Sequence, residues 1–257
     1  MLEYNKYTNA LILSSNEKAW KKSSTHGTEF DKYYKRKFKP VWDQVWKRDK
    51  NTCYFCGFQA QKFQEIHHMN DDHEDNSLDN LVTVCPLCHQ NHHLDTVSNT
   101  NGGKIIWLPE LSQQDLNHLC RAIFVAMYCA EQAEKEKTEI KGFVKIAKLL
   151  EASLAERHVE VEKHIHNGAS DPVNLASALI AMTEEQYENR SDFLKNLKLL
   201  HVKTRFSVQA KYWAKNTFAS IPVETWLNLL PEENKEEAIK ELDNMDDDDS
   251  DDNSDNQ

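Results

Sequence analysis

The chain has 257 residues, of which 39% are hydrophobic, enough for one large domain or two modest ones. No stretch approaches the roughly 20 apolar residues of a membrane span, and residues 1–13 lack the pattern of a secretory signal. Six glycines in all, with no glycine-rich phosphate-binding loop, argue against a nucleotide-binding sheet.

The net charge of −11 is unevenly distributed along the chain. Residues 246–257 contain seven Asp and no basic residue, and we expect this acidic tail to be disordered. Residues 18–50 hold eleven Lys and Arg against four Asp and Glu, interleaved with aromatics. Such a basic segment suits nucleic acid, acidic lipid or an acidic protein, or it is a solvated helix face.

The first half of the chain predicts short, mixed elements. In chain order they are a strand over 10–13, a helix over 41–48, a strand over 63–68, a loop over 70–80, an extended segment over 81–84, a helical turn over 89–94 and a strand over 104–107.

From Pro109 onward the pattern is helical. Ser112 is a predicted N-cap with Asp115 near the helix N-terminus, followed by a wide apolar face that we interpret as core or partner interface. Further predicted helices cover 143–154, a segment beginning at Pro172 after Asp171, a capping box from Thr183 to Gln186, and the ranges 205–218 and 222–230.

The cysteines carry the strongest signal. Cys53 and Cys56 form one Cys-x-x-Cys pair, and Cys85 and Cys88 form another after 28 intervening residues. Two such knuckles supply the four sulfurs of a closed, tetrahedral structural zinc site. The alternative is a redox dithiol or two chance pairs. Cys120 and Cys129 fall in an apolar helical stretch and are interpreted as buried thiols, a usage that fits a reducing cytoplasm.

Six of the 12 histidines lie between His67 and His93. A His pair, a central Asn and trailing His residues beside a zinc knuckle resemble the HNH (ββα-metal) nuclease motif. That resemblance implies that His67, His89 and His93 hold a second metal, that His68 is the general base and that Asn80 holds the loop and the base in place. The chemistry would be phosphodiester hydrolysis with Mg²⁺, Mn²⁺ or Ni²⁺.

A simpler interpretation of these histidines is also open. They can be surface polar residues or extra ligands of a remodelled zinc site. Because successive strand residues point to opposite faces, His67 and His68 converge on one metal only if the strand ends or bulges there.

We therefore predict an α+β protein with an HNH-like (treble-clef or ββα-metal) zinc-knuckle unit, a mostly α-helical half and a disordered acidic tail. The predicted division is a strand and basic arm over 1–40, the zinc unit over 41–107, a helical domain over 108–235 and the tail over 236–257. Acidic runs such as 131–139 in the helical half favour a protein partner over nucleic acid.

The sequence motifs that flank the two Cys-x-x-Cys pairs resemble those of the IcmJ/DotN family of the Dot/Icm type IVB secretion system. They are Arg48-Asp49, Thr52-Cys53-x-Phe55-Cys56-Gly57-Phe58-Gln59-Ala60, Leu81-Val82-Thr83-Val84-Cys85, Leu108-Pro109-Glu110-Leu111-Ser112-Gln113, Leu116-Asn117-x-Leu119-Cys120 and Ser170-Asp171-Pro172, with the match continuing through the region 196–213.

This resemblance implies a cytoplasmic subunit of the type IV coupling complex, peripheral to the inner membrane. Its implied partners are a DotL-like ATPase and DotM-like and IcmS/IcmW-like components, and its zinc unit would be an assembly scaffold rather than an enzyme. The chain departs from the family pattern in keeping His67, His68, His89 and His93. A metal-dependent HNH endonuclease is therefore the second hypothesis, and a DNA-binding module the third.

Overall fold

The computed structural model describes residues 11–15, 29–136 and 141–218 of the 257. Three predicted features lie outside the described residues: the helix over 222–230, the acidic tail and residues 18–28 of the basic segment. Of the strand predicted over 10–13, residues 11–13 are described and form no strand.

The described residues are mixed helix and strand, which confirms the α+β prediction. The elements are α1 (Glu29–Arg48), β1 (Glu65–His68), β2 (Leu81–Val84), α2 (Pro86–Gln90), α3 (Leu94–Asn99), β3 (Gly103–Trp107), α4 (Gln113–Glu136), α5 (Lys141–Glu156), α6 (His158–His164), α7 (Pro172–Ile180), α8 (Glu184–Glu188), α9 (Arg190–Leu194), β4 (Leu197–His201) and α10 (Ser207–Tyr212). A 3₁₀ turn (Lys203–Phe206) precedes α10, and a π turn (Trp213–Thr217) follows it.

The C-terminal end of α1 is fastened to the first sheet by two adjacent charged residues. Arg48 donates to the carbonyl oxygens of Leu78 and Leu81, both at 2.7 Å, and pairs with Asp49 at 2.7 Å. Asp49 in turn accepts from the backbone N–H of Thr83 at 2.9 Å. The predicted helix over 41–48 is thus the last part of a 20-residue helix, and these contacts hold it against β2.

The first sheet positions His67 and His68, the last two residues of β1. β1 and β2 are antiparallel, with Glu65 opposite Val84 and His68 opposite Leu81. The strand predicted over 63–68 begins only at Glu65, because Phe63 has a φ of 68°, a left-handed conformation that a strand does not contain. The segment predicted as extended over 81–84 is the strand β2.

The second sheet joins two distant parts of the chain. β3, predicted over 104–107, pairs antiparallel with β4, from Gly103 opposite His201 to Trp107 opposite Leu197. Successive residues of this sheet face two separate cores, as strand alternation requires. Ile106 lies in the core around the cysteines, whereas Ile105 and Leu199 lie in a second core. β4 was not predicted, and the boundary predicted between 107 and 108 stays a prediction.

Local capping signals place the helices of the second half. Ser112 Oγ accepts from the backbone N–H of Asp115 at 3.1 Å at the start of α4. Asp171 accepts from the N–H of Val173 at 2.9 Å with Pro172 at the first helical position of α7, and Thr183 opens α8 with a complete capping box. These three predicted helix starts are confirmed.

Two other predicted helical segments differ from the structure. The turn predicted over 89–94 is instead the end of α2 and the start of α3, with His92 and His93 between them. The helix predicted over 205–218 is broken into a 3₁₀ turn, α10 and a π turn. Phe206 and Trp213 both lie in the core around the cysteines, where each is at most 2% exposed.

Candidate metal centre

Two tight turns present the four predicted cysteines. In the first, the N–H of Gly57 donates to the carbonyl of Cys53 at 2.9 Å, and Gly57 has a φ of 72°, which glycine adopts without strain. In the second, Cys85 is the residue before α2, and Cys88 lies one turn into that helix. The sharp turn predicted at Gly57 is confirmed.

The four thiols converge. Their sulfur atoms all lie within 4.8 Å of one another, and Cys56 Sγ is 3.7 Å from Cys85 Sγ. A disulfide would require about 2.05 Å, whereas four sulfurs at about 2.3 Å from one tetrahedral ion lie about 3.8 Å apart. All four are free thiols, three of them buried and Cys56 half-buried. The geometry therefore suits a metal ion rather than a redox pair.

The protonation balance of the cluster also suits a cation. Hydrogen bonds from the Cys53 and Cys85 side chains hold the pKa of the Cys56 thiol well below its usual range. Burial raises the pKa of the Cys85 and Cys88 thiols well above theirs. Four thiolates this close repel one another in a buried site, so they ionise together only around a positive ion.

Two polar side chains of helix α4 contact the cysteine cluster, and the sequence had not indicated a role for either. Arg121 donates from Nη2 to Cys85 Sγ at 3.2 Å, and Asn117 donates from Nδ2 to Cys88 Sγ at 3.3 Å. Both side chains are at most 1% exposed. The available signal was a single Arg, four residues after an Asn, inside the otherwise apolar face predicted for this helix.

Three of the predicted histidines form a second group. The ligating nitrogens of His67, His89 and His93 lie within 4.8 Å of one another, and the Nε2 atoms of His89 and His93 are 3.1 Å apart. Burial, followed by the neighbouring imidazoles, lowers the pKa of His67 well below its usual range. His67 is therefore neutral at pH 7, the form that ligates metals.

Glu65 and His92 belong to this neighbourhood and were not assigned from the sequence. Glu65 Oε2 lies 2.6 Å from Nδ1 of His89, which leaves Nε2 of that ring facing His93. A carboxylate behind a ligating histidine is the usual outer support of a metal site. The His92 ring stacks on His67 with centroids 4.3 Å apart. Spacing along β1 gave the signal for Glu65, since residues 65 and 67 share one strand face.

His68 and Asn80 are not among the three side chains whose ligating nitrogens converge. The His68 ring stacks on His73 with ring centroids 4.9 Å apart, and burial lowers the pKa of His68 to about 4. Asn80 accepts from the N–H of Asn70 at 3.0 Å and donates to the carbonyl of Asp75 at 2.8 Å. Asn80 thus holds the loop over 70–80, and a role of Asn80 toward His68 stays a prediction.

The fold and this centre define a class: a mixed helix-and-strand protein built around a four-thiol cluster that suits a metal ion. None of the described helices combines the length and the apolar character that crossing a membrane requires. No protein-family model matches the chain.

One curated relative covers most of the molecule. The chain is 33% identical over 187 residues to the type 4 apparatus protein DotN of Legionella pneumophila subsp. pneumophila, strain Philadelphia 1, a match that spans 72% of this chain and 83% of that protein. The chain therefore belongs to the DotN (IcmJ) family, as the resemblance indicated.

Proposed function

We propose that this chain is a zinc-stabilised subunit of a type IV secretion apparatus. The supporting observation is the 33% identity to the type 4 apparatus protein DotN across 83% of that protein's length. The four thiols, which would hold the zinc, lie in the larger of the two cores, so their site and the helices would be stable only together. The metal would stabilise the fold by joining the two Cys-x-x-Cys turns.

In this proposal the subunit works by assembly rather than by catalysis. It joins the coupling complex at the cytoplasmic side of the inner membrane, in contact with a DotL-like ATPase and, through it, DotM-like and IcmS/IcmW-like components. The platform recruits effector proteins to the secretion channel. This partner set comes from the family resemblance.

The test is recovery of the partner from the bacterium that encodes this chain. The tagged full chain is purified from the native cytoplasm and membrane fraction, and the bound proteins are identified by mass spectrometry. We expect a DotL-like ATPase at near-stoichiometric yield, with the same yield for His93→Ala, which removes one imidazole of the histidine group. Recovery of no coupling component by the parent chain would end the proposal.

A metal-dependent HNH endonuclease is the second candidate, favoured by the convergence of His67, His89 and His93 with Glu65 behind His89. A divalent ion bound there would neutralise charge on a scissile phosphate. The low pKa of His68 keeps that ring neutral at pH 7, as a base requires. The HNH-like assignment of the fold belongs to this proposal.

The nuclease candidate has its own assay. Supercoiled plasmid is incubated with the purified chain and Mg²⁺, Mn²⁺ or Ni²⁺, and nicking is followed on gels. Nicking that disappears in His68→Ala and His93→Ala, while both variants keep the circular dichroism of the parent, would support the candidate. Intact plasmid under all three metals excludes it and leaves the secretion proposal untouched.

A further inference from the structure

Arg121 is a charged side chain almost completely removed from water. It is 1% exposed, on the face of α4 that packs on the cysteine cluster. Its guanidinium lies 3.7 Å from the ring centroid of Phe58 and 5.5 Å from that of Trp213, so aromatic rings line it. Burying a cation among such side chains is costly unless an opposite charge is close.

Within residues 11–15, 29–136 and 141–218, the acidic groups against Arg121 are the thiols. Among the described residues no carboxylate forms an ion pair with it. Its Nη2 atom lies 3.2 Å from Cys85 Sγ and 3.9 Å from Cys56 Sγ, and its Nη1 atom faces Nδ1 of His118 at 3.1 Å. Cys85 and Cys56 therefore supply the countercharge when they are ionised.

The charge balance of a loaded centre matches this arrangement. Four thiolates around one divalent cation leave two net negative charges in a buried site, which is unfavourable without compensation. The guanidinium cancels one of these charges. The side-chain amide of Asn117 adds a hydrogen bond to Cys88 Sγ at 3.3 Å, which disperses part of the other.

We propose that Arg121 is the countercharge of the metal-loaded thiolate centre, so that metal affinity depends on the docking of α4. Arg121 is a positioning and charge-balancing residue; it does not ligate the ion. Without the metal the thiols become neutral and Arg121 is left buried without a countercharge, whereas removing Arg121 leaves the loaded centre with an uncompensated charge. The proposal does not rest on the secretion or the nuclease function.

Asn117 extends this coupling to the second sheet. Its Oδ1 atom accepts from Gln113 Nε2 at 2.9 Å and lies 3.1 Å from Nε2 of His201, a β4 residue. One side chain thus contacts both a thiol of the centre and the strand contributed by the far end of the chain. The metal would in this way order α4 and β4 as well as the two knuckles.

The test is the zinc affinity of the full chain, measured by competition with a chromophoric chelator at pH 7.5. Arg121→Gln should bind zinc about 10- to 100-fold more weakly than the parent, the range found when an outer partner of a metal ligand is removed. Arg121→Lys should lie between the two, because its ammonium keeps the charge but not the forked geometry that contacts the sulfurs and His118 together.

A matched control separates charge from packing. Phe124 is equally buried on the same helix, and Phe124→Leu removes packing without altering charge. We expect Phe124→Leu to keep the zinc affinity of the parent even where its thermal midpoint falls. Equal zinc affinity in Arg121→Gln and the parent overturns the proposal, and so does an equal loss of affinity in Phe124→Leu and Arg121→Gln.

If Arg121→Gln proves insoluble, two milder variants decide the question. Arg121→Lys and Asn117→Ala both keep the helix intact while weakening one contact to sulfur. Faster zinc transfer to the chelator from both, with the parental rate in Phe124→Leu, supports the proposal. Parental rates in Arg121→Lys and Asn117→Ala overturn it.

Discussion

The side-chain amide of Gln113 binds both backbone polar groups of Leu199. Its Nε2 atom donates to the carbonyl oxygen at 3.0 Å, and its Oε1 atom accepts from the N–H at 2.8 Å. Both residues are buried, and 86 positions separate them in the chain. A single glutamine at the first turn of α4 thus satisfies both backbone polar groups of this β4 residue.

Replacing Gln113 should destabilise the protein more than is usual for the loss of one polar side chain. In Gln113→Ala the N–H and the carbonyl of Leu199 stay buried without a partner, and each such group costs about 1–3 kcal/mol. Urea unfolding of the zinc-loaded protein should therefore show a loss of about 2–6 kcal/mol in the free energy of unfolding. The neighbouring, partly exposed Gln114→Ala is the matched control, and a similar small loss in both variants would contradict the prediction.

Loss of one knuckle thiolate should be more damaging still. Structural zinc contributes roughly 10–16 kcal/mol in small zinc domains, which exceeds the whole stability of many domains. We expect Cys53→Ser and Cys88→Ser to give insoluble protein on expression, because both sulfurs lie in the larger core. Cys129→Ser replaces a half-buried thiol outside the cluster and should remain soluble. Soluble, folded Cys88→Ser protein would show that the metal is dispensable.

Local signals predicted the centre well. Cys-x-x-Cys spacing and Gly57 placed both knuckles, and the capping residues Ser112 and Asp171 placed the starts of α4 and α7. Each of these features depends on residues within a few positions of one another, so the sequence displays it directly. Strand alternation likewise indicated that His67 and His68 diverge unless the strand ends or bulges, and their rings stack on different partners, His92 and His73.

The features that were missed depend on distant partners. The segment of β4, Leu-Lys-Leu-Leu-His, fits a strand or a helix equally by pattern, and it is a strand because it pairs with β3, which lies about 90 residues earlier. In its sequence neighbourhood, Arg121 is one polar residue among the apolar residues of a predicted helix. Its role appears only where the fold brings it against Cys85.

Because His201 is buried, the free energy of unfolding should decrease as the pH is lowered. Burial, and then the charge of Arg121, lowers its pKa from 6.5 to about 3. Because the unfolded chain takes up a proton that the folded ring excludes, the stabilisation is complete above about pH 6.5 and is lost as the pH falls toward 3. Between pH 7.5 and 5.5 the expected loss is about 1.4 kcal/mol from this ring.

The measurement for His201 compares how much the free energy of unfolding changes between two pH values. The free energy of unfolding in urea is determined at pH 7.5 and pH 5.5 for the parent, His201→Gln and the exposed His166→Gln. His201→Gln should lose about 1.4 kcal/mol less than the parent across this interval, whereas His166→Gln serves as the surface control. Identical losses in the parent and His201→Gln would show that His201 takes up no proton on unfolding in this range.

The carboxylate of Glu65 should set the affinity of the histidine group for a second ion. With Glu65 2.6 Å from Nδ1 of His89, the ring keeps its Nε2 lone pair toward His67 and His93, which is the tautomer a metal needs. Zinc-loaded parent should therefore bind one further Ni²⁺ or Co²⁺ per chain, exchangeably, in equilibrium dialysis. Glu65→Gln should weaken that binding about 10- to 100-fold, and His93→Ala should abolish it without releasing the first metal. Glu184→Gln, an exposed carboxylate on α8, is the control. One metal per parent chain at saturating Ni²⁺ would show that the three imidazoles are a packed polar cluster and not a binding site.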